Sequence, residues 1–420
     1  MGSIIFHIDV NSAFLSWSAV EKLKQGDTLD LRTVPSIIGG DLASRHGIVL
    51  AKSVPAKAYG IQTAEPVAHA LRKCPVLVVE PPNHALYEQY SKRLMALLHN
   101  YTSDIEQLSI DECFLDFTPI ARLYESPIAA AEIIKNDVKE QLGFTVNVGI
   151  APNKLLAKMA SDFQKPDRIH TLFPDEIPAK MWPLPVDDLY MVGRSSAGRL
   201  KNLGIRTIGE LAATDPDYLQ SEFKSHGLTM WEYANGIAGS RIDSGSREVK
   251  GVGNSITLRE DAASAADAKK VLLALSETVS ERLRKAEQIA QTVTVEIKYS
   301  DFTSFSHQAP FFTPTNSTSA IYEAACSLFG ELWNGTPIRL LGIRTAKLLP
   351  SDTPVQLSLF DLTASAAFSP NDNQKSSLPV SKPSTDKLKQ LDAAVDSIRH
   401  KYGKHAVIRG SFLEHKDPDA

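Results

Sequence analysis

Residues 105–117, IEQLSIDECFLDF, read as two short β-strands closed by a tight turn. β-Branched and aromatic residues flank the turn, and two adjacent acids, Asp111 and Glu112, stand at it. A second apolar strand is legible at 3–10, SIIFHIDV, where a buried run ends in another acid, Asp9. Between and beyond these, strand 76–80, helix 86–100, helix 127–142, strand 144–151 and helix 153–163 follow one another. With the first strand included, the order is β-α-β-β-α-β, the split βαβ arrangement of ferredoxin-like domains. That order makes the first strand a neighbour of the hairpin and brings the three acids to one sheet edge. Clustered carboxylates repel and raise one another's pKa unless cations neutralise them. Magnesium, which prefers oxygen ligands, is the natural partner, and two such ions serve phosphoryl transfer. By pattern alone a plainer alternative stays open: Asp9 as a helix cap, with the pair as solvated turn acids.

The flanking sequence divides the chain further. Asn11 and Ser12 are good N-caps for a helix beginning AFLSWSAV. Residues 34–68, rich in Gly and Pro, hold two short apolar runs suited to a small sheet. At 192–212 two helices are expected around a turn at Gly204, with Ser195 and Ser196 capping the first and Thr207 the second. Residues 247–348 repeat a βαββαβ-like order in a second α+β domain. A polar linker at 361–385 and a helix at 387–403 close the chain. The 420 residues suit several domains, and a net charge of −4 with 43% hydrophobic residues excludes a disordered or strongly basic chain. No apolar run reaches the roughly 18 residues of a membrane span, and the opening residues do not read as a leader, so a cytoplasmic protein without a membrane partner is expected. The three cysteines, Cys74, Cys113 and Cys326, form no C-x-x-C pair and read as apolar core residues.

Four motifs carry a family resemblance: DVNSAF at 9–14, SIDE at 109–112, VGIAPNKLLAKMASDFQKP at 148–166 and LKNLGIRTIGEL at 200–211. In order and spacing they resemble the Y-family DNA polymerases, with the bacterial DNA polymerase IV and UmuC-like members the nearest kin. The resemblance implies a multidomain α+β protein. Its ferredoxin-like palm spans 1–10 and 76–173, with small fingers at 11–75 and a helical helix-hairpin-helix thumb at 174–240. An α+β little finger follows at 241–350, then a clamp-binding peptide, linker and C-terminal helix at 351–420. It also implies error-prone translesion synthesis on primer-template DNA with deoxynucleoside triphosphates, by a monomer. Matched residue by residue, Asp9, Asp111 and Glu112 resemble the metal-binding acids, with the Val10 carbonyl a further ligand of two Mg²⁺ ions. Phe14 matches the steric gate against ribose, with Ala13 beside it at the nucleotide. Lys165 matches a triphosphate ligand, and Lys154 and Lys158 add positive potential. Where many members carry Tyr and Arg in a Y-x-A-R stretch, SVPAKAYGI at 53–61 places Val54 and Lys57. Lysine lacks the fork of arginine, while Tyr59 is expected to pack.

In the thumb, Gly193, Arg194, Arg199 and Gly204 are matched to backbone-phosphate contacts, although Met191 replaces the first glycine of the usual turn. Arg339 and Arg344 are the little-finger candidates for DNA. Gln356, Leu357, Leu359 and Phe360 resemble the Q-L-x-L-F peptide that binds the bacterial sliding clamp. The alternatives are another palm-domain nucleotidyl transferase or cyclase, and a catalytically weak clamp- and DNA-binding accessory protein.

Overall fold

A computed structural model describes residues 2–40, 47–245, 249–354, 385–403 and 406–410, so the pentapeptide at 356–360 lies outside the described residues. The chain divides into two units, 1–246 and 247–420. No helix among the described residues is long and apolar enough to cross a membrane.

The first unit begins with β1 (Ile5–Val10), α1 (Ala13–Lys24), β2 (Ser36–Gly39), β3 (Val49–Lys52), α2 (Val54–Ala58), α3 (Val67–Lys73), β4 (Val78–Glu80) and α4 (His84–Leu98). It continues with β5 (Ile105–Gln107), β6 (Glu112–Asp116), α5 (Pro127–Asp137), β7 (Val146–Ala151), α6 (Lys154–Asp162) and β8 (Ile169–Thr171). Five strands form one sheet in the order β5-β6-β1-β7-β8. Its first four strands keep the ferredoxin-like order read from the sequence. Every residue of β1 is buried, because the strand is central and covered on both faces. Phe6 stacks on Phe117 with ring centroids 4.7 Å apart, and Trp17, Tyr87, Tyr90 and Phe144 fill the layer between sheet and helices.

One strand belongs elsewhere than expected. Val78–Glu80 pairs in parallel with β2 in a separate sheet, β3-β2-β4. That small-lobe sheet therefore runs past the boundary drawn at residue 75. The reason is register: Ile37 faces Val79 and Lys52 on either side, and a three-residue strand is claimed by whichever edge lies open. The expected helix at 127–142 keeps α-geometry only to Asp137 and finishes as a π-helical turn through Leu142.

The helical part of this unit contains α7 (Ile177–Lys180), α8 (Arg194–Asn202), α9 (Ile208–Ala213), α10 (Pro216–Phe223) and α11 (Ser225–Ala234). Gly204 adopts φ +87° and turns the chain between α8 and α9. Thr207 caps α9 in a reciprocal capping box with Glu210, as its position suggested. Ser195 and Ser196 do not cap α8; the helix already begins at Arg194, with Gly193 as N-cap. Met191 takes φ +71°, so the backbone makes the glycine-like turn without glycine.

The second unit comprises β9 (Gly251–Ala262), α12 (Ala265–Lys285), β10 (Gln288–Tyr299), β11 (Ser304–Thr315), α13 (Thr318–Leu332), β12 (Ile338–Pro350) and α14 (Thr385–Tyr402). Its antiparallel sheet runs β11-β10-β12-β9. Alternation sorts the faces: Val293, Val295, Ile297, Leu341 and Ile343 are buried with α12 and α13, while Thr294, Glu296, Gly342 and Arg344 face the other way. The C-terminal helix packs back onto its own unit. Asp392 accepts the Thr318 backbone N–H at 3.0 Å, serving the α13 terminus that its own N-cap, Ser317, leaves without a side-chain bond. Arg284 forks onto Asp396 at 2.6 and 3.0 Å, and Glu277 accepts from Arg399 and Arg409.

Candidate active site

The pairing of β1 between β6 and β7 places Asp9 opposite Glu112 on one side and Asn147 on the other. Asp111, the last residue of the β5–β6 turn, is held beside them. Its carbonyl accepts the Val10 N–H at 3.1 Å, and its carboxylate accepts the Ser109 hydroxyl at 2.6 Å. All three acids line one cleft of about 360 Å³, with Val10, Ala13, Phe14, Lys52, Lys57 and Lys165 among its other walls. The sequence expectation that these acids converge is met in this sense. Among the described residues, no three ligand-type side chains are drawn together as if around one ion. Lysines hold Asp9 and Glu112 instead.

Lys165 donates to Asp9 at 2.5 Å and pairs with Asp162 at 2.7 Å. Lys158 donates to Glu112 at 2.8 Å and lies 3.7 Å from Asp9. Lys158, expected from the sequence to add positive potential, is buried. Burial disfavours the ammonium charge of both lysines, yet the surrounding carboxylates hold their pKa above the ordinary value. Burial also works against the charge of Glu112, but the His7 ring and the Lys158 ammonium outweigh it and hold the carboxyl at about 2. Asp111 is different: burial, and then the charges of Asp9 and Glu112, push it up despite the Ser109 hydrogen bond. A half-buried carboxyl raised by partial desolvation and by two neighbouring acids belongs to a site whose negative charge is only partly balanced, and such a donor set fits a hard divalent cation.

The shell behind the acids is tightly built. His7, fully buried on β1, shares a 2.8 Å hydrogen bond between Nδ1 and Ser161 Oγ. Its Nε2 points toward Glu112 Oε2 at 3.8 Å, beyond hydrogen-bond length, and has no hydrogen-bond partner among the described residues. Burial lowers the His7 pKa from its ordinary value. Asn147 donates to the carbonyls of Ser161 and Gln164 and so fixes the end of α6 and the turn that carries Lys165. Gly149 explains how α6 comes so close: a Cβ there would lie 1.9 Å from the Ala157 carbonyl oxygen.

Phe14 stacks on Tyr87 with centroids 4.4 Å apart and planes 7° from parallel, and meets the edge of His84. Tyr87 is fully buried and shares a hydrogen bond with Ser18, which fixes the platform. Ser12, expected as a cap of α1, takes a left-handed backbone conformation and makes no cap bond. It donates to the Lys52 carbonyl at 3.1 Å and ties β3 to the start of α1. In the small lobe, Val54 and Lys57 are exposed on α2, and Tyr59, expected to pack, is 45% exposed. Lys52, His7, Ser161 and Tyr87 escaped the sequence reading.

The remaining candidates lie elsewhere in their units. Gly193 and Arg194 form the exposed start of α8, whereas Arg199 is paired with Glu222 and stacked over Phe223. Lys201 is likewise paired with Asp187. Arg344 sits on the open sheet face of the second unit beside Glu296, and Arg339 lies over the Phe302 ring at 4.8 Å.

Known proteins are similar to this chain. The impB/mucB/samB family model matches residues 8–162, its C-terminal domain residues 249–359, and the IMS family HHH motif residues 174–205. A protein named DNA polymerase IV from Clostridium acetobutylicum is 47% identical over 418 residues, 99% of this chain and 100% of that protein. DNA polymerase IV 1 of Bacillus subtilis is 34% identical, covering 99% of this chain and 94% of its own. Among solved structures, a Y-family DNA polymerase chimera, Dbh-Dpo4(243-245)-Dbh, superposes with a TM-score of 0.72 at 24% identity. The match covers 82% of this chain and 99% of the chimera, and it attests the fold.

Proposed function

Because the chain belongs to the impB/mucB/samB family of Y-family DNA polymerases, we propose that it extends a DNA primer across damaged template positions by nucleotidyl transfer in the cleft of Asp9, Asp111 and Glu112. The observation that carries this reading is the convergence of those acids, from β1, the β5–β6 turn and the start of β6, on one cleft that is also walled by lysines and Phe14. The three carboxylates and the Val10 carbonyl would hold two Mg²⁺ ions. When bound, magnesium supplies the Lewis acidity that activates a primer 3′-hydroxyl and stabilises departing pyrophosphate.

The chain's own residues do the rest. Lys165 and Lys158 orient Asp9 and Glu112, and Lys158 helps to keep Glu112 ionised. Lys165 and Lys57 present ammonium groups to a triphosphate. The Phe14 ring, backed by Tyr87, closes the space a ribose 2′-hydroxyl would need. Gly193, Arg194, Arg199 and Gly204 of the first unit, and Arg339 and Arg344 of the second, supply the template and primer contacts, chiefly to phosphates. Error-prone copying follows from a small, exposed fingers lobe that checks base-pair shape loosely. Gln356, Leu357, Leu359 and Phe360 would tether a monomeric enzyme to the sliding clamp. Primer extension on undamaged and lesion-bearing templates tests the reading. Extension by the native chain, lost in Asp111→Ala with primer-template affinity kept, is expected; equal extension by the variant would refute it.

A further inference from the structure

Lys52 has a position that its sequence neighbourhood conceals. It is the last residue of β3, opposite Ile37, and its half-buried side chain turns into the cleft that holds Asp9, Asp111 and Glu112. Its Nζ donates to the Ile61 carbonyl at 2.6 Å, which leaves two of its three N–H groups for other acceptors. Among the described residues no carboxylate pairs with it. Burial and then the charge of Lys57 make its own charge harder to keep; Glu65 offsets this in part and Lys73 adds to it. A lysine held at such a cost beside a cleft is suited to an anion.

Three acids, Asp9, Asp111 and Glu112, and three lysines, Lys52, Lys57 and Lys165, line the cleft, and Lys158 pairs with Glu112 behind it. Lys52 is therefore placed where an ionised triphosphate entering the cleft can meet its ammonium group. The neighbouring helix α2 offers at Val54 a side chain that cannot donate, and at Lys57 a single ammonium.

We propose that Lys52 is a triphosphate-binding residue of this chain, supplying from strand β3 the second small-lobe cation that the Val54/Lys57 pair lacks. The inference rests on the polymerase reading and adds a binding residue to it. The Lys52 ammonium reaches the phosphates from the fingers side while Lys165 reaches them from the palm side. The Ser12–Lys52 hydrogen bond couples the two walls of the cleft.

The test separates charge from scaffolding. In the full-length chain, Lys52→Gln keeps a donor for the Ile61 carbonyl but removes the charge, and Lys52→Arg keeps both. The readouts are the KM for the incoming dNTP at saturating primer-template and the equilibrium affinity for that dNTP on a dideoxy-terminated primer, where no reaction occurs. Lys52→Gln should raise both constants about ten- to a hundredfold, the range of a lost charge-assisted contact, with primer-template affinity and thermal midpoint unchanged. Lys52→Arg should stay within a few fold of native. Native dNTP affinity in Lys52→Gln would overturn the proposal. A fall in thermal midpoint and kcat with KM unchanged would also overturn it and assign Lys52 a structural role. Should the native chain fail to extend primers at all, the polymerase reading fails instead, and the two failures are told apart by that control.

Discussion

Replacing Gly149 with alanine should unseat the helix on which the active-site lysines depend. An ideal Cβ at 149 would lie 1.9 Å from the Ala157 carbonyl oxygen and 2.6 Å from the Ser161 nitrogen. Ordinary contact needs about 3.4 Å, and both obstacles are backbone atoms that no rotamer change can move, so α6 must retreat by roughly 1.5 Å. Overpacking of this kind costs about 1–3 kcal/mol, and the rigid obstacle puts Gly149→Ala at the upper end, near 3 kcal/mol. The retreat carries Lys158 and Ser161 with it. The 2.8 Å Lys158–Glu112 bond and the 2.8 Å Ser161–His7 bond then stretch beyond hydrogen-bond length. A misplacement of about 1 Å near reacting groups is worth roughly 100-fold in rate. Urea unfolding and steady-state primer extension measure the two effects. Gly198→Ala is the control: it sits exposed within α8 with nothing within 4 Å of an added Cβ, and should gain up to about 1 kcal/mol. Native stability and native rate in Gly149→Ala would refute the tight packing of α6 on β7 as the device that places the lysines.

Three further outcomes are expected. Phe14→Ala removes the ring stacked on Tyr87 and should raise ribonucleotide relative to deoxynucleotide incorporation by about 100-fold, measured as the ratio of kcat/KM values; an unchanged ratio would remove Phe14 from sugar selection. Deleting residues 356–360 should abolish stimulation by the sliding clamp while leaving distributive synthesis intact, and intact stimulation would place the contact elsewhere. Asp392→Ala takes the cap from α13 and a partner from Arg284, and should cost about 1–2 kcal/mol of stability and expose the C-terminal helix to limited proteolysis; native resistance would show that the helix is held by other contacts.

The palm was legible because its strands announce themselves. SIIFHIDV is mostly apolar since β1 is central and buried on both faces, and the acids mark where β1 ends and β6 begins. The place of Val78–Glu80 was not legible. A three-residue strand carries no periodicity that distinguishes one sheet edge from another, and its partner is set by how the small lobe folds. Nothing in the i, i+4 spacing of Lys154 and Lys158 tells that their helix face is buried at Lys158. Only the bare backbone of Gly149 opposite α6, a signal present in VGIA, betrays that this face is pressed against the sheet. His7 read as part of an apolar run, and its partners Ser161 and Glu112 come from elements 154 and 105 residues away, so no local pattern joins them. Lys52 is hidden for the same reason: a lysine ending a short strand reads as solvated, and only the tertiary closeness of β3 to the start of α1 turns it into the cleft.

The most direct measurement is a count of Mn²⁺, standing in for Mg²⁺, held per chain in complex with a dideoxy-terminated primer-template and the matching dNTP. The native chain should hold two ions. The isosteric variant Asp9→Asn/Asp111→Asn/Glu112→Gln should hold at most the one that the nucleotide carries with it. Two ions in both would contradict the assignment of the carboxylates.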